Sequence, residues 1–155
     1  MRIVIQRVSR ARVVVAGQEV GAIGLGLLLL VGVERGDGPA QAERAAHRVA
    51  TLRVFSDGEG KMNRGLDEVG GEVLVVSQFT LAGSIRRGRR PDFFRAAPPE
   101  EAQPLVQCLT EELRRRGVRV ATGSFGAMME VELVNDGPVT LIWEDPPTSE
   151  VTARS

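Results

Sequence analysis

Seven residues near the start of the chain, Leu27-Leu28-Leu29-Leu30-Val31-Gly32-Val33, form an almost unbroken apolar run. Gly26 precedes it, and Gly36-Asp37-Gly38-Pro39 closes it. A membrane span needs about 20 apolar residues, so the run is too short to cross a bilayer. Its length suits a β-strand buried on both faces. Such a strand needs a layer of structure on each side, and the rest of the chain must supply both.

The rest of the chain amounts to one domain, 155 residues in all. The expected domain covers residues 1–145, with a frayed tail over 146–155. Hydrophobic residues make up 43% and charged residues 26%, which excludes a disordered chain. Aromatic residues are only 4% and Tyr is missing, so Val, Leu, Ile and Ala have to fill the core. Cys108 is the single cysteine, which excludes a disulfide scaffold. No Cys/His cluster has zinc spacing, and the first residues are too interrupted for a secretory signal. The reading is a cytoplasmic protein with no metal or other cofactor.

Ile3-Val4-Ile5 and Val13-Val14-Val15 are β-branched runs. With Ser9-Arg10 between them and Ala16-Gly17-Gln18 after them, they read as an N-terminal hairpin, to which Glu19–Ile23 adds a short strand. Pro39–Leu52 reads as an amphipathic helix, with Ala42, Ala45, Ala46, Val49 and Leu52 at helical spacing and Asp37 and Pro39 as its start signal. Asp57–Lys61 is a turn-rich loop, and Glu72–Phe79 the next strand. Thr80–Pro98 has no clean period, and a loop this long inside a domain usually has a function. A second helix runs to Arg116, with Gly117 as its cap and Pro104 expected near its first turn. Val118–Ala121, Met129–Val134 and Val139–Trp143 read as three closing strands. The expected architecture is α/β, with mixed two-layer or partly rolled β-sheets and two helices covering one side.

Charge sums to zero but is unevenly placed. Arg2, Arg7, Arg10 and Arg12 precede the first acid, Glu19, while every charged residue from Glu130 to Glu150 is acidic. A neutral chain excludes wholesale wrapping of nucleic acid, yet it can carry a local anion-binding face. Lys61 is the only lysine. The arginine bias suits phosphate recognition, and a GC-rich genome would produce it equally. Arg86, Arg87, Arg89, Arg90 and Arg95 crowd around Asp92, either as phosphate contacts or as a solvated loop with internal ion pairs.

No nucleophile sits beside a visible base. His47 falls on the polar face of the first helix, and Cys108 reads as a small buried hydrophobe. Gly21-Ala22-Ile23-Gly24-Leu25-Gly26 lacks the dinucleotide order and reads as turns. Glu100-Glu101 and Glu111-Glu112 read as solvated helix charges. Two segments stand out. Ser77-Gln78-Phe79-Thr80 puts a hydroxyl, an amide, a ring and a second hydroxyl at the end of an apolar strand, where simple termination is the alternative. Asn135-Asp136-Gly137-Pro138-Val139-Thr140 reads as a turn between two strands, with Gly-Pro open to the cis form.

At these two segments the chain resembles the D-aminoacyl-tRNA deacylases. Ser77-Gln78-Phe79-Thr80-Leu81 is similar to one signature of that family, and Asn135–Thr140 to the other, its Gly-cisPro motif. The resemblance extends through Ile5-Gln6-Arg7-Val8, Leu52-Arg53-Val54-Phe55, Gly60-Lys61-Met62-Asn63, Gly88-Arg89-Arg90-Pro91 and Gly123-Ser124-Phe125-Gly126-Ala127. It implies hydrolysis of the ester between a D-amino acid, or glycine mischarged on alanine tRNA, and the tRNA 3′-terminal adenosine. It implies a metal-free homodimer with tRNA as partner. Gly137 and Pro138, flanked by Asn135, Val139 and Thr140, would enter the other subunit's pocket and exclude L side chains, with Arg7 helping to hold them. Ser77, Gln78, Phe79 and Thr80 would surround the ester and ribose, while Phe125, Gly126, Ala127 and Met129 would hold the adenosine. The implied chemistry is RNA-assisted, with the substrate's 2′-hydroxyl helping water and the N–H groups of Gln78 and Phe79 as oxyanion donors; Thr80 as direct nucleophile is the alternative. Arg86, Arg87, Arg89 and Arg90 are the candidates for tRNA phosphate. A non-catalytic tRNA 3′-end binding module of the same fold is the competing reading, and a small-molecule esterase is disfavoured by the absent nucleophile–base pair.

Overall fold

The computed structural model describes residues 1–147. Its elements are β1 (Arg2–Val15), β2 (Gln18–Ile23), β3 (Gly26–Gly32), α1 (Pro39–Thr51), β4 (Phe55–Ser56), β5 (Met62–Arg64), α2 (Leu66–Val69), β6 (Glu72–Ser77), α3 (Pro99–Arg115), β7 (Arg119–Thr122) and β8 (Glu130–Glu144). A single 3₁₀ turn, Phe79–Ala82, follows β6.

β1 is the spine. One edge pairs antiparallel with β3 over Arg2–Val8 and with β2 over Ala11–Val15. The other edge pairs with β8 along nearly its whole length. From β3 the sheet continues in parallel through β6 to β7. It then rolls until its far strands meet: a Cβ on Gly21 of β2 would stand 2.3 Å from the Thr122 carbonyl oxygen of β7. Glycine is required where two backbones approach this closely.

The apolar run is buried on both faces, as its composition requires. Leu27, Leu29 and Val31 join Ile3, Ile5, Val73 and Val75 beneath α1 and α3, which contribute Ala42, Ala45, Ala46, Val49, Leu105, Leu109 and Leu113. Leu28, Leu74 and Val76 point the other way, into the rolled sheet, against Val8, Ala11, Val13 and Ile23. One covering layer is helical, and the other is the sheet curled back on itself. Each fully buried Leu or Val contributes about 1.5–3 kcal/mol, so both cores matter. The mixed α/β architecture with helices on one side agrees with the sequence reading.

Local expectations fare unevenly. Ser9-Arg10 is no turn but lies inside β1; the chain reverses at Ala16-Gly17, whose φ values of +47° and +79° suit a two-residue hairpin turn. The last two expected strands are one strand, β8, with Asn135–Thr140 inside it. Pro104 lies well inside α3, which begins at Pro99. Its missing N–H frees only the carbonyl of Glu100, an exposed residue that water can reach. Asp37 does not cap α1: its carboxylate accepts from the Met1 ammonium at 2.8 Å and the Glu34 N–H at 2.7 Å. The Gln41 side chain serves that helix end instead, accepting from the Gly38 N–H at 2.9 Å. Glu112 is not solvated but buried, paired with Arg115 and, at 2.7 Å, with Arg116. Pro147 is buried beside Gly36, so fraying does not begin at 146; the rest of the expected tail, residues 148–155, lies outside the described residues.

Antiparallel pairing of β1 with β8 also resolves the uneven charge. Arg2 meets Glu144 at 3.5 Å, Arg7 meets Asp136 at 3.7 Å and Arg12 meets Glu132 at 2.5 Å. The hydrogen bond from Arg12 holds the Glu132 carboxyl below the usual carboxylate range. These N-terminal arginines are cross-strand partners for the acidic end of the chain rather than an anion-binding face. Among the described residues no helix is long and apolar enough to cross a membrane.

The close pairing of β3 with β6 predicts a sharp contrast between neighbouring glycines. A Cβ on Gly26 would stand 1.8 Å from the Glu72 carbonyl oxygen, whereas one on Gly24 meets nothing nearer than a Glu72 side-chain oxygen at 3.8 Å. Gly26→Ala is expected to lower unfolding free energy in urea by about 3 kcal/mol or more, and Gly24→Ala by less than about 1 kcal/mol. Equal losses would contradict the close approach of β3 and β6.

Candidate functional site

The most unusual feature of the sheet is a mismatch of count. Gln6 pairs with Thr140 and Val8 with Asn135, so Arg7 alone faces residues 136–139. The surplus leaves the sheet as a tip, at whose end the Gly137-Pro138 peptide is cis. Arg7 holds the base of this tip. Its side chain is largely buried, with Nη1 donating to the Val54 carbonyl at 2.6 Å and Nε to the Asp136 carbonyl at 2.9 Å. Asn135 closes the neck: its Oδ1 accepts from the Val139 N–H at 2.8 Å, and its Nδ2 donates to Thr140 Oγ1 at 2.9 Å. At Gly137, φ is +137° and a Cβ would stand 2.9 Å from Val139 Cγ2 and 3.1 Å from Arg7 Nη2, so only glycine fits.

Ser77, Gln78, Phe79 and Thr80 lie where β6 ends and the 3₁₀ turn begins. The Gln78 N–H donates to the Val31 carbonyl at 2.7 Å, continuing the β3–β6 ladder. That bond removes Gln78 from the expected oxyanion donors and leaves Phe79, whose N–H opens the turn and has no partner within it. Gln78 Nε2 donates to Thr80 Oγ1 at 3.0 Å, so the hydroxyl oxygen is held by a donor and not by a base. Phe79 is half exposed and meets Phe93 edge to face, with centroids 5.2 Å apart.

Ser77 and Phe125 line one cleft of about 410 Å³ between the ends of β6 and β7 and the flank of α3. Gly123 N–H donates to the Val75 carbonyl at 3.0 Å and Ala127 N–H to the Ser124 carbonyl at 3.2 Å, which folds residues 123–127 into a turn beside Ser77. Gly126 has a φ of +77° within it. Met129 differs from this group: it packs into the core of the rolled sheet, not on the cleft. A larger cleft of about 670 Å³ lies elsewhere, lined by His47, Asp67, Arg116 and Arg119, and shares no residue with these segments.

The arginine loop is a defined structure. Ser84 and Asp92 exchange backbone hydrogen bonds of 2.8 and 3.0 Å, closing a loop with Gly88 at φ +70°. Arg86, Arg87, Arg89 and Arg90 are all exposed, and among the described residues none of them makes an ion pair. Its return end is tied down by Glu34, a buried carboxylate 3.6 Å from Arg95, 3.4 Å from Arg2 and 3.7 Å from the Met1 ammonium. No periodic signal marks this cluster, because its members come from three distant segments. His47 is exposed on α1. The Cys108 thiol is pushed up by partial burial and then by Glu112, which weakens it as a nucleophile.

The structure therefore joins Ser77 with Phe125 on one cleft, whose lining does not include Gln78, Phe79, Thr80, Gly126 or Ala127, and joins Arg7 with Asn135–Thr140. It does not join the two groups. Ser77 is level with Ile3, four residues from Arg7 along β1 and three strand spacings from the tip, about 20 Å along the sheet.

The sequence matches the D-Tyr-tRNA(Tyr) deacylase family over residues 4–144. It is 60% identical over 144 residues to the D-aminoacyl-tRNA deacylase of Heliobacterium modesticaldum, covering 93% of this chain and 96% of that one. It is 61% identical over 145 residues to the enzyme of the same name from Thermomicrobium roseum, covering 94% of each. Among solved structures, the c-Myc DNA unwinding element binding protein superposes with a TM-score of 0.87 at 39% identity, over 94% of this chain and 99% of that one.

The tip's supports make a joint prediction. Arg7→Met leaves the Val54 and Asp136 carbonyls without their cation and is expected to lower stability by about 2–3 kcal/mol in urea unfolding. Asn135→Ala is expected to speed hydrogen exchange at the Val139 amide about tenfold while leaving amides in β3 unchanged. Unaltered exchange at Val139 would contradict the neck described above.

Proposed function

The chain belongs to the D-aminoacyl-tRNA deacylase family, hydrolases that act on ester bonds, and from that membership we propose a chiral proofreading reaction carried out across two subunits. The substrate is D-aminoacyl-tRNA, and glycine mischarged on alanine tRNA is a second one. The tip of Gly137 and Pro138 from one subunit enters the cleft of a second copy and stands against the substrate's α-carbon. An L side chain meets main chain there, while hydrogen does not. This is selection by rejection, and it needs a stiff obstacle more than an added contact. The observation that carries the reading is the placement of the tip: it is braced by Arg7 and Asn135 and stands about 20 Å along the sheet from its own Ser77–Thr80 segment.

Within the cleft, Ser77 and Phe125 are close enough to share one substrate end, the first toward the ester and ribose, the second toward the adenosine with Gly126 and Ala127. Met129 supports that turn from the core side. Water adds to the ester carbonyl carbon, the bond to the ribose 3′ oxygen breaks, and that oxygen takes the proton. The substrate's 2′-hydroxyl helps to orient and activate the water, which suits a site with no protein base. The Phe79 N–H is the donor for the developing oxyanion, a contribution of about 2.7–4 kcal/mol in comparable sites. The donor bond from Gln78 to Thr80 favours a positioning role for Thr80 over attack by its hydroxyl. Arg86, Arg87, Arg89 and Arg90 take tRNA phosphate, and the setting is the cytoplasm.

The deciding experiment presents D- and L-aminoacyl-tRNA side by side. Release from the D form alone supports the reading; equal release from both contradicts it, and binding without release points to a non-catalytic module. Thr80→Ala is expected to keep turnover within about tenfold, since it removes no base or nucleophile. Arg86→Ala/Arg87→Ala is expected to make the logarithmic salt dependence of tRNA affinity shallower by about 1–2. An unchanged slope would remove that loop from the tRNA contact.

A further inference from the structure

Two large apolar side chains have no part in the reaction above. Ile85 is 84% exposed and Phe94 is 79% exposed. The Ser84–Asp92 bridge closes the arginine loop, so these two residues flank its base. Phe94 is fixed from one side. Arg35 Nε donates to the Phe94 carbonyl at 2.9 Å, and the same guanidinium lies 6.0 Å from the centroid of the Phe94 ring. The Arg35 N–H donates to the Arg95 carbonyl at 2.9 Å, which holds this backbone against the end of β3. Phe93, one residue back, touches Phe79 at the ester site. Phe94 is thus an open aromatic face, backed by a cation and next in the chain to a ring that touches Phe79.

We propose that Phe94, backed by Arg35, is a stacking platform for an unpaired nucleotide of the RNA 3′ end, immediately upstream of the terminal nucleoside, with Ile85 as its apolar rim. The RNA's identity rests on the reading in the preceding subsection, but the platform itself does not. Single-stranded nucleic acid is held by aromatic faces for the bases and by cations for the backbone. Both are present here: Phe94 lies two residues past the bridge that closes a loop of four exposed arginines, none of which makes an ion pair among the described residues. The one acid in the loop, Asp92, is turned inward enough to accept from the Phe94 N–H at 3.4 Å. A polyanion with flat, unpaired bases matches both the charge and the ring.

The test uses the full-length protein and a hairpin RNA in two forms: one with an unpaired four-nucleotide 3′ end, the other cut blunt. Binding is followed by fluorescence anisotropy. The wild-type protein is expected to prefer the overhang. Phe94→Ala is expected to weaken binding of the overhang form about tenfold, in the range for one base on one ring, with little change for the blunt form. Phe94→Trp is expected to restore affinity, which separates stacking from general damage. The salt slope of Phe94→Ala is expected to equal that of wild type, because no phosphate contact is lost. Equal affinities of Phe94→Ala and wild type for the overhang RNA would overturn the proposal. An equal loss on both RNAs would overturn it too, as would failure of Phe94→Trp to rescue. Dissociation of an oligomer by Phe94→Ala, seen in sedimentation, would assign the face to a second copy and also overturn it. Because RNA binding is read without hydrolysis, loss of this proposal is distinct from loss of the deacylase reading.

Discussion

One residue of β1 faces four of β8, and the surplus backbone has to leave the sheet at that point. Arg7 determines how it leaves. A guanidinium buried at the break must have its donors satisfied, and the partners it finds are the carbonyls of Val54 and Asp136. Val54 lies just beyond α1, so the tip is braced against the layer that also covers the principal core. A lysine would offer a single charged point there and no planar fork, and would lose the bridge between two separated acceptors. The projecting tip is therefore a property of the whole fold, transmitted through one side chain.

The same spine positions the cleft. β1 pairs with two successive strands along one edge, which lets the sheet roll, and the roll brings the ends of β6 and β7 to the flank of α3. The first signature sits where β6 runs out of partners and tightens into a 3₁₀ turn, so its side chains are freed from the alternation of the strand. From there the chain makes its long excursion, and the buried Glu34 with Arg2, Arg95 and the Met1 ammonium anchors the return. A buried carboxylate is costly without nearby cations, and here Glu34, facing Arg2, Arg95 and the Met1 ammonium, fixes the loop that carries Phe93 beside Phe79.

Much of this was legible in the residues. The seven-residue apolar run announced a strand covered on both sides, and the spacing of Ala42, Ala45, Ala46 and Val49 announced its helical cover. The segregated charges carried more information than their sum: early arginines and late acids are neighbours across β1 and β8. What stayed hidden was register. Local turn chemistry at Asn135–Thr140 reads the same whether two strands fold back or one strand bulges, and only the pairing with Arg7 tells them apart. The Gln78 N–H looked available because its partner, Val31, lies far away in sequence. Glu112 looked solvated because i,i+3 and i,i+4 arginine partners do not reveal burial. Site residues on loops are legible by type and not by placement, since no period constrains them.

In the proposed reaction the tip acts in the neighbouring subunit. Mixing two kinds of subunit measures that directly. One lacks Gly137 and Pro138 but keeps its cleft; the other keeps its tip but carries Phe79→Pro, which removes the N–H that serves the oxyanion at the first position of the 3₁₀ turn. The first alone is expected to release L- and D-amino acids alike, and the second alone neither. Adding the second in excess should suppress release of the L form while release of the D form persists. If L release is indifferent to the added subunit, the tip works within its own chain and the account is wrong.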